Sequence, residues 1–415
     1  MDTHYDVVVI GGGQAGLATS YHLREAGSNH IVLERDRVGE RWRTERWDSF
    51  TLVTPNSWNR LPGFAYDGDD PEGFLSREEV IAYLEEYVER FELPVRVGVE
   101  VTGVRADTAG FTVETTDGIY EAATVVVATG SFQEPRVPDF TTGVPVAIHQ
   151  VHSSGYTNPE TLPEGAVLVV GSSQSGAQIA SELHETGRDV FLSVSSAPKL
   201  PRRYRGRDVG HWMEAMGGFR TTVDDLESPA ARFAPSAYAS GRDGGREIDF
   251  LELADDGMTL LGRVIGVEDG RIRFADDLEE NLRNAYRFYV ELIEDIERYL
   301  ETTDEDAPEP KHALPNPDEI SVESIRELDL TAATVRTIVW ATGYRADFSW
   351  IEPVDRDEFG YPVHRRGVTD TPGLYFVGLH WLYTRGSGLL YGVGEDAKYV
   401  VEHLLERVEG SKSRS

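Results

Sequence analysis

Val7-Val8-Val9-Ile10-Gly11-Gly12-Gly13-Gln14-Ala15-Gly16 decides the fold: an apolar strand runs into a glycine turn and then into helix-forming residues. Gly11 permits the tight turn, Gly13 lets backbone approach a pyrophosphate, and Gly16 allows the helix to pack closely on the strand. The helix start carries unpaired N–H groups and the positive end of the helix dipole, so phosphates are expected there, beside Gln14 and Ala15. The next apolar run, Ile31-Val32-Leu33, ends at Glu34 with Arg35 after it. That is the spacing from which a carboxylate reaches a ribose 2′-hydroxyl.

The same pattern returns as Val167-Leu168-Val169-Val170-Gly171-Ser172-Ser173-Gln174-Ser175-Gly176. Ser173 replaces the middle glycine, and its hydroxyl can still donate to a phosphate. The following strand, Val190-Phe191-Leu192-Ser193, ends without an acid and is followed by Arg202 and Arg203. Arginine matches a 2′-phosphate through paired donors, and no carboxylate stands there to repel it. NADPH rather than NADH is therefore expected at this second site; two solvated arginines near a proline are the plainer alternative. Two different nucleotides imply electron transfer between them.

Working outward, Ser76-Arg77-Glu78-Glu79 is a capping-box pattern opening a helix, with Val80, Tyr83, Leu84, Tyr87, Val88 and Phe91 at helical spacing. Short strands are predicted over Val95–Val101, Phe111–Thr115 and Thr124–Ala128, and a long helix over Leu278–Leu300. Tyr204–Arg246 shows no periodicity, and the acidic, proline-bearing stretch Thr302–Asp318 reads as a surface loop. Val127-Ala128-Thr129-Gly130 and Trp340-Ala341-Thr342-Gly343 echo each other, as the two glycine turns do.

Composition narrows the function. A chain of 415 residues allows two or three domains with sizeable cores. There is no basic leader at the N-terminus and no apolar run near the ~20 residues of a spanning helix, so a cytoplasmic protein without a membrane partner is expected. The absence of cysteine excludes disulfides, thiolate metal sites and a redox-active dithiol. No metal site is read. The formal charge of -32 disfavours nucleic acid and anionic membranes. Only Lys199, Lys311, Lys398 and Lys412 are lysines. Abundant acid with so little lysine points to a halophilic, salt-loaded cytoplasm, with an acidic protein of GC-rich origin as the alternative.

Three further segments resemble the flavin-containing monooxygenases and their single-component relatives. Gly39-Glu40-Arg41-Trp42 is similar to their GGxW segment, with Glu40 in place of the second glycine. His152-Ser153-Ser154-Gly155-Tyr156 is similar to the second half of the FxGxxxHSxxY signature, and Ala341-Thr342-Gly343-Tyr344 to the ATGY linker. Phe140-Thr141-Thr142-Gly143 departs from the signature, its Phe–Gly pair lying one residue too far apart. Arg43–Phe50, Leu52–Asn56 and the second glycine turn resemble a bacterial and archaeal branch labelled flavoproteins involved in potassium transport.

The resemblance implies an α/β fold with two Rossmann-like domains in a three-layer β-β-α arrangement like that of glutathione reductase. The FAD domain would span 1–162 and 330–415. The NADPH domain, 163–329, would be nested in it and carry an insertion at about 204–303. Beyond the first turn and Glu34, the implied FAD residues are Arg41, Trp42, Val101, Thr129, Gly130, Gly378, Ser387 and Leu389. NADPH would add Ser193, Thr342 and Gly343 to the second turn and its arginines. By analogy with related flavoproteins, a helix after Arg385-Gly386-Ser387-Gly388 would point its N-terminus at the flavin's pyrimidine edge. Asn56 is the candidate for supporting an oxygen adduct, with turn capping as its alternative use. The implied activity is insertion of one oxygen atom from O2 into a small organic substrate through a flavin C4a-(hydro)peroxide. The alternatives are an NADPH-dependent oxidase or reductase without oxygen transfer, and a flavin-bearing regulator of cation transport. Monomer and homodimer are both compatible with the chain.

Overall fold

A computed structural model describes residues 3–108, 110–311 and 313–412. Its first sheet is built on the opening strand His4–Ile10, which pairs in parallel with His30–Leu33 on one side and Gly118–Val127 on the other. Val95–Arg96 extends the parallel set beyond His30–Leu33. The strand Gly118–Val127 serves two partners: its first half closes an antiparallel meander with Phe111–Thr115 and Val101–Ala106, and its second half pairs in parallel with Leu374–Phe376.

Strand alternation divides the core. Val7, Val9 and Val32 face the helices Gln14–Glu25, Arg77–Arg90 and Val393–Lys412, while Val8, Ile10 and Leu33 face the meander residues Val104, Phe111 and Val113. A strand buried on both faces has to be apolar throughout, as Val7–Ile10 is. The result is three layers: helices, parallel sheet, meander.

The second sheet repeats the plan with strands His149–His152, Val335–Trp340, Ala166–Val170, Val190–Ser193 and Thr259–Leu261, all parallel. Its own meander comprises Val264–Glu268, Arg271–Phe274 and Glu327–Asp329. Val167 and Val169 pack with the helices Gln174–Glu185 and Leu278–Thr302, and Leu168 and Val170 with Ile272, Phe274 and Leu328. The second Rossmann-like unit is thus nested between the strand Gly118–Val127 and the returning strand Leu374–Phe376 of the first.

Several boundaries differ from expectation. The second sheet takes strands from 149–152 and 335–340, outside 163–329, and the proposed insertion contains the sheet strand Thr259–Leu261 and two of the three meander strands. Val95–Val101 is two elements, because Gly98 at φ 76° breaks the chain between the parallel sheet and the meander. The C-terminal helix begins at Val393, after a run of turns, rather than just past Gly388. The capping box at Ser76 is present: Ser76 Oγ accepts the Glu79 N–H, and the Glu79 carboxylate accepts the Ser76 N–H at 2.7 Å. No helix among the described residues is long and apolar enough to cross a membrane.

Candidate functional site

At the end of the opening strand, Gly11 takes φ 112° and a Cβ there would lie 2.7 Å from the Ala128 carbonyl oxygen. A Cβ on Gly16 would overlap the Gly11 carbonyl, so helix and turn are in direct contact. At Gly13, by contrast, an added Cβ would meet no protein atom within 4 Å, and the helix it starts has no side-chain cap. Room and unpaired N–H groups therefore coincide at the positive end of a helix dipole. The Glu34 carboxylate lies over this turn, accepting the Gly12 N–H at 2.6 Å and the Asp36 N–H at 3.0 Å. The residues fit a dinucleotide pyrophosphate and its ribose.

The other residues implied for this cradle are brought to its rim unevenly. Thr129 borders Gly11 and is tied to Gly130 by Gln133, whose Nε2 donates to Thr129 Oγ1 at 3.1 Å and the Gly130 carbonyl at 2.8 Å. Arg41 donates to the Gln133 carbonyl at 3.2 Å, and the Gly39 N–H donates to the Gly12 carbonyl, which brings the 39–44 segment alongside. Trp42 is half-buried against Phe50. Gly378 packs on the helix start, where a Cβ would strike Ala15. Gln14 Nε2 donates to the Gly388 carbonyl at 3.2 Å, placing the turn before Leu389 over the cradle.

Others face away. The Ser387 hydroxyl is fully buried, accepting the Tyr383 and Thr384 N–H groups and bonding Asp396. Arg35 is exposed and paired with Asp36. Val101 is half-buried at the start of the meander, opposite Thr115. Asn56 is buried and holds its own turn: Nδ2 donates to the Asp70 carbonyl at 2.9 Å, and Oδ1 lies 3.5 Å from Asn59 Nδ2.

The second cradle copies the first. Gly171 takes φ 103° with the Ala341 carbonyl 2.5 Å from its would-be Cβ, and a Cβ on Gly176 would overlap the Gly171 carbonyl. Thr342 and Gly343 follow Ala341 as Thr129 and Gly130 follow Ala128; Gly343 takes φ 81° and Gly130 φ 71°. Ser193 is buried, its hydroxyl donating to the Gly262 carbonyl at 3.0 Å. Across this cradle lies a segment that sequence reasoning left uninterpreted. Ser173 Oγ donates to the Ser236 carbonyl at 2.7 Å, the Ala239 N–H donates to Gln174 Oε1 at 3.1 Å, and Gln174 and Gln178 both donate to the Ala239 carbonyl. Gln174 thus clasps Ala239 as Gln14 clasps Gly388. The glutamine shared by both glycine turns was the available signal.

The arginines do not assemble as expected. Arg202 is buried beneath Phe74 and ion-paired with the fully buried Asp208, and it donates to the Val53 carbonyl at 3.0 Å. A guanidinium committed to a buried carboxylate is not offered to a phosphate. Arg203 is exposed and bonds the carbonyls of Glu72 and Gly244.

The two segments between the units bond to each other. Tyr344–Arg345 pairs with Glu134–Pro135, His152 Nε2 donates to the Gly343 carbonyl at 2.9 Å, and His152 Nδ1 accepts the Ser154 N–H at 3.1 Å. Burial pushes the His152 pKa down, consistent with a neutral ring doing both jobs. Nearby in sequence to Asn56, Trp58 packs with His211, Phe219 and Tyr391, which brings the 209–219 segment against the C-terminal turns. His380 follows the strand that closes the first sheet; burial, with Arg385 adding to it, drives its pKa down to about 4.

The family model for pyridine nucleotide-disulphide oxidoreductases matches residues 8–213. The oxidoreductase CzcO-like of Geobacillus kaustophilus is 36% identical over 403 residues, covering 96% of this chain and 98% of that one. Indole-3-pyruvate monooxygenase YUCCA1 of Oryza sativa subsp. japonica is 32% identical over 204 residues, 48% of this chain and 50% of that one. A flavin-containing monooxygenase from Stenotrophomonas maltophilia has the same fold, with a TM-score of 0.66 at 22% identity, covering 98% of this chain and 100% of that one. Fold, cradles and relatives together define the class, an FAD-dependent oxidoreductase enzyme. Within it, the chain belongs to the CzcO-like oxidoreductases, and its fold is the one seen in a flavin-containing monooxygenase.

Proposed function

We propose that the protein is a single-component flavin monooxygenase that uses NADPH and O2 to insert one oxygen atom into a small organic substrate. The balance is one NADPH, one proton and one O2 consumed for one oxygenated product, one water and one NADP+. FAD lies in the first cradle, on Gly11, Gly13, Gly16 and Glu34, and NADPH in the second, on Gly171, Ser173 and Gly176. Bound FAD supplies the redox chemistry and the reaction with oxygen; the chain orients both nucleotides and controls polarity around them.

The carrying observation is two nested cradles of one design in a chain without cysteine. Electrons that reach the first cradle have no protein dithiol to enter, although dithiol chemistry is named in the matching family model, and oxygen is the acceptor this proposal assigns. The half-length similarity to an indole-3-pyruvate monooxygenase supports oxygen transfer and puts 2-oxo acids first in a substrate panel, ahead of amines and sulfides. Asn56 stands in this reading as a residue that holds the 56–58 turn near the aromatic cluster.

The test is anaerobic reduction of the FAD-loaded protein by NADPH, followed by 18O2 and mass analysis of the panel. One 18O atom in product is the expected result. Hydrogen peroxide in full yield without labelled product would assign an oxidase instead.

A further inference from the structure

The two cradles match closely enough for their differences to be read position by position. The Gly11 N–H donates to the Leu33 carbonyl, and the Gly171 N–H to the Ser193 carbonyl. The residue after each strand then bonds the next parallel strand: Glu34 N–H to the Arg96 carbonyl, Val194 N–H to the Leu261 carbonyl. Val194 is therefore the counterpart of Glu34, Ser172 that of Gly12, and Ser195 that of Arg35.

These substitutions are coupled by space. A Cβ on Gly12 would lie 3.0–3.1 Å from the Glu34 side chain, so a side chain at that turn position and a carboxylate above it compete for one volume. In the second cradle the turn position carries Ser172, fully buried, and its hydroxyl accepts the Ser195 N–H at 2.8 Å and lies 3.2 Å from Ser195 Oγ. Glu34 performs a related task one position further on, accepting the Asp36 N–H. Val194, freed from it, is buried in the core against the Gln174–Glu185 helix side. Where the first cradle presents a negative charge, the second presents only the neutral hydroxyl of the half-buried Ser195, positioned from beneath by the fully buried Ser172, with Ser196 exposed beside it. Arg202 brings no positive charge, because Asp208 holds it.

An acid at this place selects a ribose hydroxyl and an arginine selects a ribose phosphate. A neutral hydroxyl does neither. We propose that the second cradle binds NADH and NADPH with comparable affinity, its ribose recognition resting on the half-buried Ser195, which the buried Ser172 holds in place. This rests on the second cradle being the nicotinamide nucleotide site.

The experiment titrates NADP+ and NAD+ separately into FAD-loaded protein, read by calorimetry and by perturbation of the flavin spectrum. The two dissociation constants are expected within about tenfold, since no charge-assisted hydrogen bond separates the ligands. Ser195→Asp should weaken NADP+ by about tenfold or more relative to NAD+, and Ser195→Arg should shift preference the other way by a similar factor. Arg203→Ala should leave the ratio unchanged. A preference of about a hundredfold for either nucleotide in the parent overturns the proposal while leaving the site assignment intact. So does loss of NADP+ binding in Arg203→Ala with NAD+ unaffected. If neither nucleotide binds a protein that retains FAD, the site assignment itself fails, and the proposal with it.

Discussion

Asp208→Asn separates a structural arginine from a phosphate-binding one. Arg202 is 3% exposed and Asp208 is fully buried. The guanidinium also donates to the Val53 and Ser240 carbonyls, while its Nε has no partner. Asparagine keeps the shape of the acid and its second task, capping the helix Val209–Ala215 by accepting the Gly210 N–H at 2.8 Å, since asparagine is as good a cap. What it removes is the charge. Breaking a buried ion pair by neutralising one partner leaves the other uncompensated, at a cost of about 3–5 kcal/mol. Against a total stability of about 5–15 kcal/mol that is a large fraction. The assay is urea unfolding of the FAD-loaded protein followed by tryptophan fluorescence and far-UV circular dichroism, whose coincidence checks that one transition is being measured. Arg202→Met should cost a similar amount, and the double variant should cost clearly less than the two together. NADP+ affinity should be unchanged in all three. A loss below about 1 kcal/mol in Asp208→Asn would refute the buried-pair account. Tighter NADP+ binding in that variant would show Arg202 reaching the nucleotide once released.

Three further outcomes follow from the same structure. Gly13→Ala should fold normally, because its φ of -89° suits alanine and its Cβ meets no protein atom, yet lose FAD affinity by about tenfold or more; Gly16→Ala should fail to fold, its methyl overlapping the Gly11 carbonyl. If Gly13→Ala retains FAD as the parent does, the pyrophosphate lies elsewhere. His364 and His380 are held neutral by burial with pKa values of about 4, below the unfolded value of 6.5. Stability is therefore full above pH 6.5 and falls as pH drops toward 4, by roughly 1–2 kcal/mol per histidine at pH 5, and His380→Gln should flatten that slope. With a net charge of -32, the melting temperature should rise by several degrees between about 0.1 M and 2 M KCl as repulsion is screened; a flat profile would argue against a salt-adapted protein.

The parts of this molecule that were legible in its sequence are those where local chemistry and backbone geometry coincide. Gly11, Gly16, Gly171 and Gly176 could be assigned because steric demands permit no other residue there, and Ser76 with Glu79 because the capping box is a local exchange of hydrogen bonds. Arg202 misled for the opposite reason. Its partner Asp208 is six residues away, but what decides its role is the long-range packing of Phe74 and Val53, which desolvates the pair. The Ser236–Ala239 segment was opaque because it engages through its backbone carbonyls and N–H groups, which leave no trace in side-chain identity. Only its partners, Gln174 and Gln178, carried information.

The duplication also locates the division of labour between the cradles. Strand register, positive-φ glycines, the close approach to Ala128 and Ala341, and the glutamine clasp are common to both. The side-chain differences along the two turns and the ends of the following strands include Gly12 against Ser172, Gly13 against Ser173, Ala15 against Ser175, Glu34 against Val194 and Arg35 against Ser195. They are not independent. A side chain at the second turn position excludes the carboxylate, and the hydroxyl at the third is drawn to Ser236, so the covering segment is recruited where the turn is no longer bare glycine. The first cradle therefore keeps a negative charge and an open helix end, which suits a nucleotide held permanently. The second keeps neutral hydroxyls and a covering segment, which suits one that must arrive, react and leave. Exchanging these residues should therefore exchange the binding characters of the cradles, whereas changing the scaffold around them should only weaken both.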